Sequence, residues 1–88
     1  MIQREVSIKN RAGLHTRPAA LLVKLAAKYK SEFYIEKDGM EINGKSIIGV
    51  MTLAGEQGSK LVLRFSGVDE VEACNAMVEL FDRGFDEK

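Results

Sequence analysis

Apolar and polar residues alternate at the start of the chain. Ile2, Val6 and Ile8 share one parity, interrupted only by Arg4, and Gln3, Glu5, Ser7 and Lys9 take the other. A period of two predicts a strand with one buried face. Asn10 to Leu14, with Gly13 inside it, reads as a loop. The period then changes. Leu22, Leu25, Ala26 and Tyr29 fall at i, i+3, i+4 and i+7, the stripe of a core-facing helix. Pro18 opens that helix, in a first turn where its missing N–H costs nothing. Lys24, Lys28 and Lys30 lie toward the end whose dipole favours cations.

Alternation returns with Phe33 and Ile35 set among Glu32, Tyr34 and Glu36, a second strand. Asp38-Gly39 is a two-residue hairpin turn, because glycine accepts positive φ without penalty. Met40 and Ile42 continue into a short third strand, closed by Asn43-Gly44. Ser46 is placed to cap a short helix carrying Ile47, Ile48, Val50 and Met51. Gly55 to Gly58 reads as a loop, and Leu61, Leu63 and Phe65 alternate in a fourth strand. Asp69 and Glu72 form a D-x-x-E start for a last helix. Val71, Cys74, Val78 and Phe81 are its expected buried stripe, and Arg83-Gly84 its end.

The expected order is β-α-β-β-α-β-α, an α+β fold. The hairpin forces an antiparallel pair, and one sheet covered by helices on a single face is the economical packing. The other face can then meet water. At 88 residues and 9.8 kDa, residues 1–88 make a single domain with one modest core and no cleft between lobes. A 45% hydrophobic fraction with 30% charged residues argues against disorder.

Charge narrows the function. Thirteen Lys and Arg balance thirteen Asp and Glu, which removes the electrostatic case for a nucleic-acid binder or a polybasic membrane face. Charge appears at once in Met1-Ile2-Gln3-Arg4-Glu5, so no signal peptide is expected. The uncharged stretch from Ile47 to Gly55 is far short of the ~18 residues of a membrane span. A single cysteine, Cys74, excludes an internal disulfide framework or cysteine metal cluster and fits a reducing cytoplasm. No metal and no cofactor is expected.

His15 is the only histidine and stands just before Arg17 and Pro18 at the first helix start. Free N–H groups there favour an anion such as phosphate. The Arg17 fork matches phosphoryl oxygens, and positive charge nearby favours neutral imidazole, the nucleophilic form. Gly13 lets the backbone approach closely. Taken alone, the same residue also reads as a plain loop histidine near a cap. Ser46 has two readings as well. It is a capping residue, or a phosphorylation site whose phosphate would meet helix-start amides beside an apolar surface. Ile47, Ile48 and Met51 are either core or an exposed docking patch. Cys74, Tyr29, Phe33, Phe65 and Phe81 read as core.

The stretch Asn10-Arg11-Ala12-Gly13-Leu14-His15-Thr16-Arg17-Pro18-Ala19-Ala20 resembles the active-site signature of the HPr family, the histidine-containing phosphocarriers of the bacterial phosphotransferase system. Lys45-Ser46-Ile47-Ile48-Gly49-Val50-Met51-Thr52-Leu53 resembles that family's regulatory serine segment. Length, element order and the spacing of the two motifs agree over the whole chain.

The resemblance implies an open-faced β-sandwich, with a four-stranded antiparallel sheet in the order 1-4-2-3 and three helices on one face. It implies that His15 takes a phosphoryl group on Nδ1 from phosphorylated enzyme I, charged by phosphoenolpyruvate, and passes it to IIA domains of sugar permeases. The chain would thus be a stoichiometric carrier rather than a free-standing enzyme. Arg17 would neutralise the phosphoryl oxygens, and the Thr16 amide would assist at the helix start. Ser46 would be the target of HPr kinase/phosphorylase, with a catabolite-control transcription factor as a further partner. Thr16, Arg17, Ala20, Leu21, Lys24, Ile47, Ile48, Met51 and Thr52 would form a shared docking surface. The expected protein is a cytoplasmic monomer. Ala54 departs from the family, where glycine is common, and the tail from Gly84 to Lys88 carries no functional reading.

Overall fold

A computed structural model describes residues 1–53 and 55–87; Ala54 and Lys88, and any reading placed on them, lie outside the described residues. The elements are β1 (Ile2–Ser7), α1 (Thr16–Ala26), β2 (Glu32–Lys37), β3 (Met40–Asn43), α2 (Ile47–Thr52), β4 (Lys60–Ser66) and α3 (Glu70–Asp82), followed by a 3₁₀ turn at Gly84–Asp86. The strands form one antiparallel sheet in the order β1-β4-β2-β3. The expected element order and fold class therefore stand.

Register explains the alternation. Val6 faces Leu61, Ile2 faces Phe65, Phe33 also faces Phe65, and Ile35 faces Leu63. A period of two puts these apolar side chains on one face of the sheet. Phe33 and Phe65 stack with ring centroids 4.7 Å apart. Leu22, Ala19 and Ala26 of α1, Val50 of α2, and Cys74, Met77, Leu80 and Phe81 of α3 complete the core. The opposite face is polar. There Arg64 binds Glu36 at 2.7 Å and Glu41 at 2.8 Å, and its Nε donates to Gln3 Oε1. Asp38 and Gly39 both take positive φ, the geometry of the expected hairpin turn.

Four local expectations are corrected. Helix α1 ends at Ala26, so Tyr29 lies beyond it, half-buried, and Lys28 and Lys30 are not in its last turn. Val71 is 52% exposed; the buried stripe of α3 is Ala73, Cys74, Met77, Leu80 and Phe81. Asp69 is the N-cap residue of α3, but its side chain makes no cap hydrogen bond. Glu70, not Glu72, reaches back, accepting from the Gly67 N–H at 3.1 Å.

The Asp69 carboxylate is committed elsewhere. It accepts from the Lys30 N–H at 2.8 Å, the Ser31 N–H at 2.9 Å and the Ser31 hydroxyl, which ties the start of α3 to the entry of β2. The Ser31 hydroxyl, then the Lys30 amide, hold the Asp69 carboxyl below its ordinary range. The unfolded chain, with the higher value, takes up the proton first on acidification. The stabilisation is thus complete above about pH 4 and is lost as pH falls through the folded value. Ser31→Ala is expected to shrink the stability lost between neutral pH and about pH 3. Urea melts at the two pH values test this, and equal acid sensitivity of both proteins would refute it.

Candidate functional site

His15 is the N-cap residue of α1, extended at φ −78° and ψ −173°, and its side chain makes no cap hydrogen bond. The ring is free to point outward, and it is 42% exposed. The first intrahelical bond runs from the Ala19 N–H to the His15 carbonyl at 3.0 Å. The Thr16 and Arg17 amides precede it, and Pro18 carries no N–H. The helix start thus presents its unpaired donors beside the ring.

The approach to His15 is held from two sides. Gly13 has φ +74°, and a Cβ there would lie 2.3 Å from the Gly55 carbonyl oxygen. The same carbonyl accepts from the Leu14 N–H at 2.9 Å, pinning the loop to the segment after α2. Only glycine satisfies both demands. Asn10 is 4% exposed, and its Nδ2 donates to the Gly13 carbonyl at 2.7 Å.

An open depression lined by Arg11, Ala12, His15, Arg17, Asp86 and Glu87 surrounds the ring. His15 and Arg17 converge on a carboxylate of the chain itself, which the sequence did not suggest. His15 Nε2 lies 2.9 Å from Glu87 Oε2 and 3.1 Å from Oε1. Arg17 Nη1 donates to the same Oε2 at 3.1 Å, and Asn10 Nδ2 donates to Oε1 at 2.9 Å. The hydrogen bond from His15, with those from Asn10 and Arg17, holds the Glu87 carboxyl below the usual carboxylate range. The ring's nearest charged neighbour is therefore a carboxylate, where the sequence suggested a guanidinium.

Glu87 lies in the tail that carried no functional reading, and Asn10 entered only as the first residue of the motif around His15, with no role of its own. A buried asparagine three residues before a glycine turn is a faint cue. Phe85, apolar just past a helix-ending glycine, is a better one, because such residues often fold back on the helix end.

The second candidate region is ordered as well. Ser46 is exposed and is the N-cap of α2, its Oγ accepting from the Gly49 N–H at 3.1 Å. Ile47, Ile48 and Met51 are 39%, 76% and 43% exposed, while Val50 is fully buried. One side of this short helix is thus core and the other is an open apolar patch. On α1, Thr16, Arg17, Ala20 and Lys24 are exposed and Leu21 half-buried; Thr52 is exposed on α2. Cys74 is buried, and burial raises its thiol above the ordinary value.

The fold and this site define a small α+β protein that presents one exposed histidine at a helix start, beside the Arg17 guanidinium. A family profile described as the PTS HPr component phosphorylation site matches residues 2–83. The phosphocarrier protein HPr of Treponema pallidum is 43% identical over 88 residues, covering all of both chains. Solved HPr from Thermoanaerobacter tengcongensis superposes with a TM-score of 0.96 at 44% identity, covering 100% of this chain and 99% of that one. The chain belongs to the HPr family, the phosphocarrier proteins of the phosphotransferase system. The expectation of a monomer does not fit every relative. Bacillus subtilis Crh was solved as a domain-swapped dimer, with TM-score 0.77 and 38% identity over 96% of this chain and 97% of that one. Among the described residues, no helix is long and apolar enough to cross a membrane.

Proposed function

We propose that residues 1–88 act as one HPr domain in the cytoplasm, accepting a phosphoryl group on His15 Nδ1 from phosphorylated enzyme I and donating it to IIA domains of sugar permeases. One observation carries the reading: an exposed imidazole at a helix start, with the Arg17 guanidinium and that imidazole reaching the same carboxylate oxygen. A group able to hold one anion there can stabilise the oxygens of another. The Thr16 and Arg17 amides supply further donors. Phosphoryl exchange between histidines depends on positioning and charge stabilisation, so a partner can complete the site and no deep pocket is required. Incubation with enzyme I and phosphoenolpyruvate is expected to give an acid-labile, base-stable phosphoprotein. No incorporation would overturn the reading.

Thr16, Arg17, Ala20, Leu21, Lys24, Ile47, Ile48, Met51 and Thr52 serve as the shared docking surface; the exposure of all but the half-buried Leu21 supports this. Ser46 is the regulatory site for HPr kinase/phosphorylase, and its phosphorylated form is read by a catabolite-control transcription factor. What supports this is an exposed hydroxyl at the edge of the apolar patch formed by Ile47, Ile48 and Met51. A dianion there opposes apolar docking, so phosphorylation of Ser46 is expected to slow labelling of His15 by raising KM for the phosphoserine form. Equal rates for the two Ser46 forms would refute it.

A further inference from the structure

Glu87 has no place in the site as read from the sequence, yet it is the side chain in closest polar contact with the reactive ring. Its position is built. Gly84, Phe85 and Asp86 all take positive φ, which folds the chain back after α3. Phe85 is fully buried and packs edge to face on Phe81, with centroids 4.8 Å apart. The Asp86 N–H donates to the Arg83 carbonyl, and the Glu87 N–H to the Gly84 carbonyl. Two successive non-glycine residues in the left-handed region are costly, and such strain persists only where surrounding contacts impose it. Asn10 gives a parallel sign. Its Nδ2 donates both to the Gly13 carbonyl and to Glu87 Oε1. Its one amide group thus ties the loop before His15 to the tail that carries Glu87.

The chemistry of the contact is directional. An ionised carboxylate only accepts hydrogen bonds, so in the neutral ring Nε2 carries the hydrogen and Nδ1 keeps the lone pair. We propose that Glu87 is a positioning residue for phosphoryl transfer, holding His15 by Nε2–H so that Nδ1 is the nucleophile and balancing the charge the ring gains. The proposal rests on the phosphocarrier reading above and deepens it.

In the step itself, the Nδ1 lone pair of His15 forms the new N–P bond. The P–N bond of an N-phosphorylated histidine on the donor breaks, and its electron pair returns to the donor ring, which becomes neutral. No proton leaves His15. Its ring, still protonated at Nε2, becomes cationic and faces the Glu87 carboxylate. When the group is passed on, the charges reverse. A carboxylate holding an imidazole in one tautomer and stabilising its cation is the logic of the orienting acid in a hydrolase triad. Here it serves a ring that is itself the nucleophile.

The test compares wild type, Glu87→Ala and Glu87→Gln. It measures labelling by enzyme I and phosphoenolpyruvate together with the ¹⁵N resonances of the His15 ring. Glu87→Ala is expected to lower kcat about tenfold, the loss of one charge-assisted hydrogen bond, with KM unchanged. Its ring resonances are expected to move toward those of a free imidazole in tautomer exchange. Glu87→Gln keeps an acceptor oxygen without the charge, so it retains the Nε2–H signature and falls between the other two in kcat. Wild-type kcat in Glu87→Ala, or an unchanged ring signature, would overturn the proposal. If wild type itself takes no label, the phosphocarrier reading fails instead. If wild type labels, His15→Ala does not and Glu87→Ala equals wild type, only the role of Glu87 falls.

Discussion

His15→Ala is expected to remain folded, melting within a few degrees of wild type, and to take up no phosphoryl group from enzyme I. The two halves have separate physical causes. The ring is 42% exposed, lies outside the core and makes no cap bond to α1, so removing it opens no cavity. The backbone of residue 15 still supplies the carbonyl that accepts from the Ala19 N–H. The start of α1 therefore survives the substitution. Chemically the loss is complete, because no other histidine exists in the chain to take over. Arg17 and the helix-start amides remain, but they are donors without a nucleophile. Thermal melts and a labelling assay on one preparation separate the outcomes. Residual labelling at the wild-type level in a folded variant would remove His15 from its role and with it the whole carrier reading.

Why His15 could be found from the sequence and Glu87 could not is a matter of how each is positioned. His15 is placed by short-range rules: a glycine loop, a proline in a first turn, and the stripe of α1. These act over a few residues and leave a readable pattern. The sheet is similar. Val6, Leu61, Leu63, Phe65, Phe33 and Ile35 are buried because alternation fixes their face, and antiparallel register then brings them together.

Misreadings arise where long-range contacts override local preference. Asp69 has the composition of a cap, but three donors from Lys30 and Ser31 claim its carboxylate across the fold. Val71 is apolar in a first turn, yet Ala73 and Cys74 take the buried side of α3 there and Val71 is left in solvent. Exposure of Ile47, Ile48 and Met51 could be framed only as a choice. A six-residue helix has one buried side, and Val50 takes it. Glu87 is separated from His15 by 72 positions, and the backbone that returns it passes through conformations a non-glycine residue rarely adopts.

Phe85 decides whether that return is a strap or a loose end. Truncating a buried phenylalanine typically costs about 3–5 kcal/mol. If the tail then swings out, Phe85 leaves its left-handed backbone and about 1 kcal/mol of strain is returned. Phe85→Ala is therefore expected to destabilise the protein by about 2–4 kcal/mol, a large part of the roughly 5–15 kcal/mol of a typical domain. At about 4–8 °C per kcal/mol for a chain of this size, the melting temperature falls by about 8 °C or more. The substitution lies two residues from Glu87 and removes none of the polar groups that His15 and Arg17 contact. If burial of the ring is what aims the Glu87 carboxylate, phosphoryl transfer slows in the same variant, to about the level of Glu87→Ala and with the same change in the His15 ring resonances. Phe85→Leu, which refills most of the space, restores both stability and rate. Calorimetry and the labelling assay read the two effects independently. A loss of stability below about 1 kcal/mol would show that the ring is not part of the core and that the tail is held by its polar contacts alone.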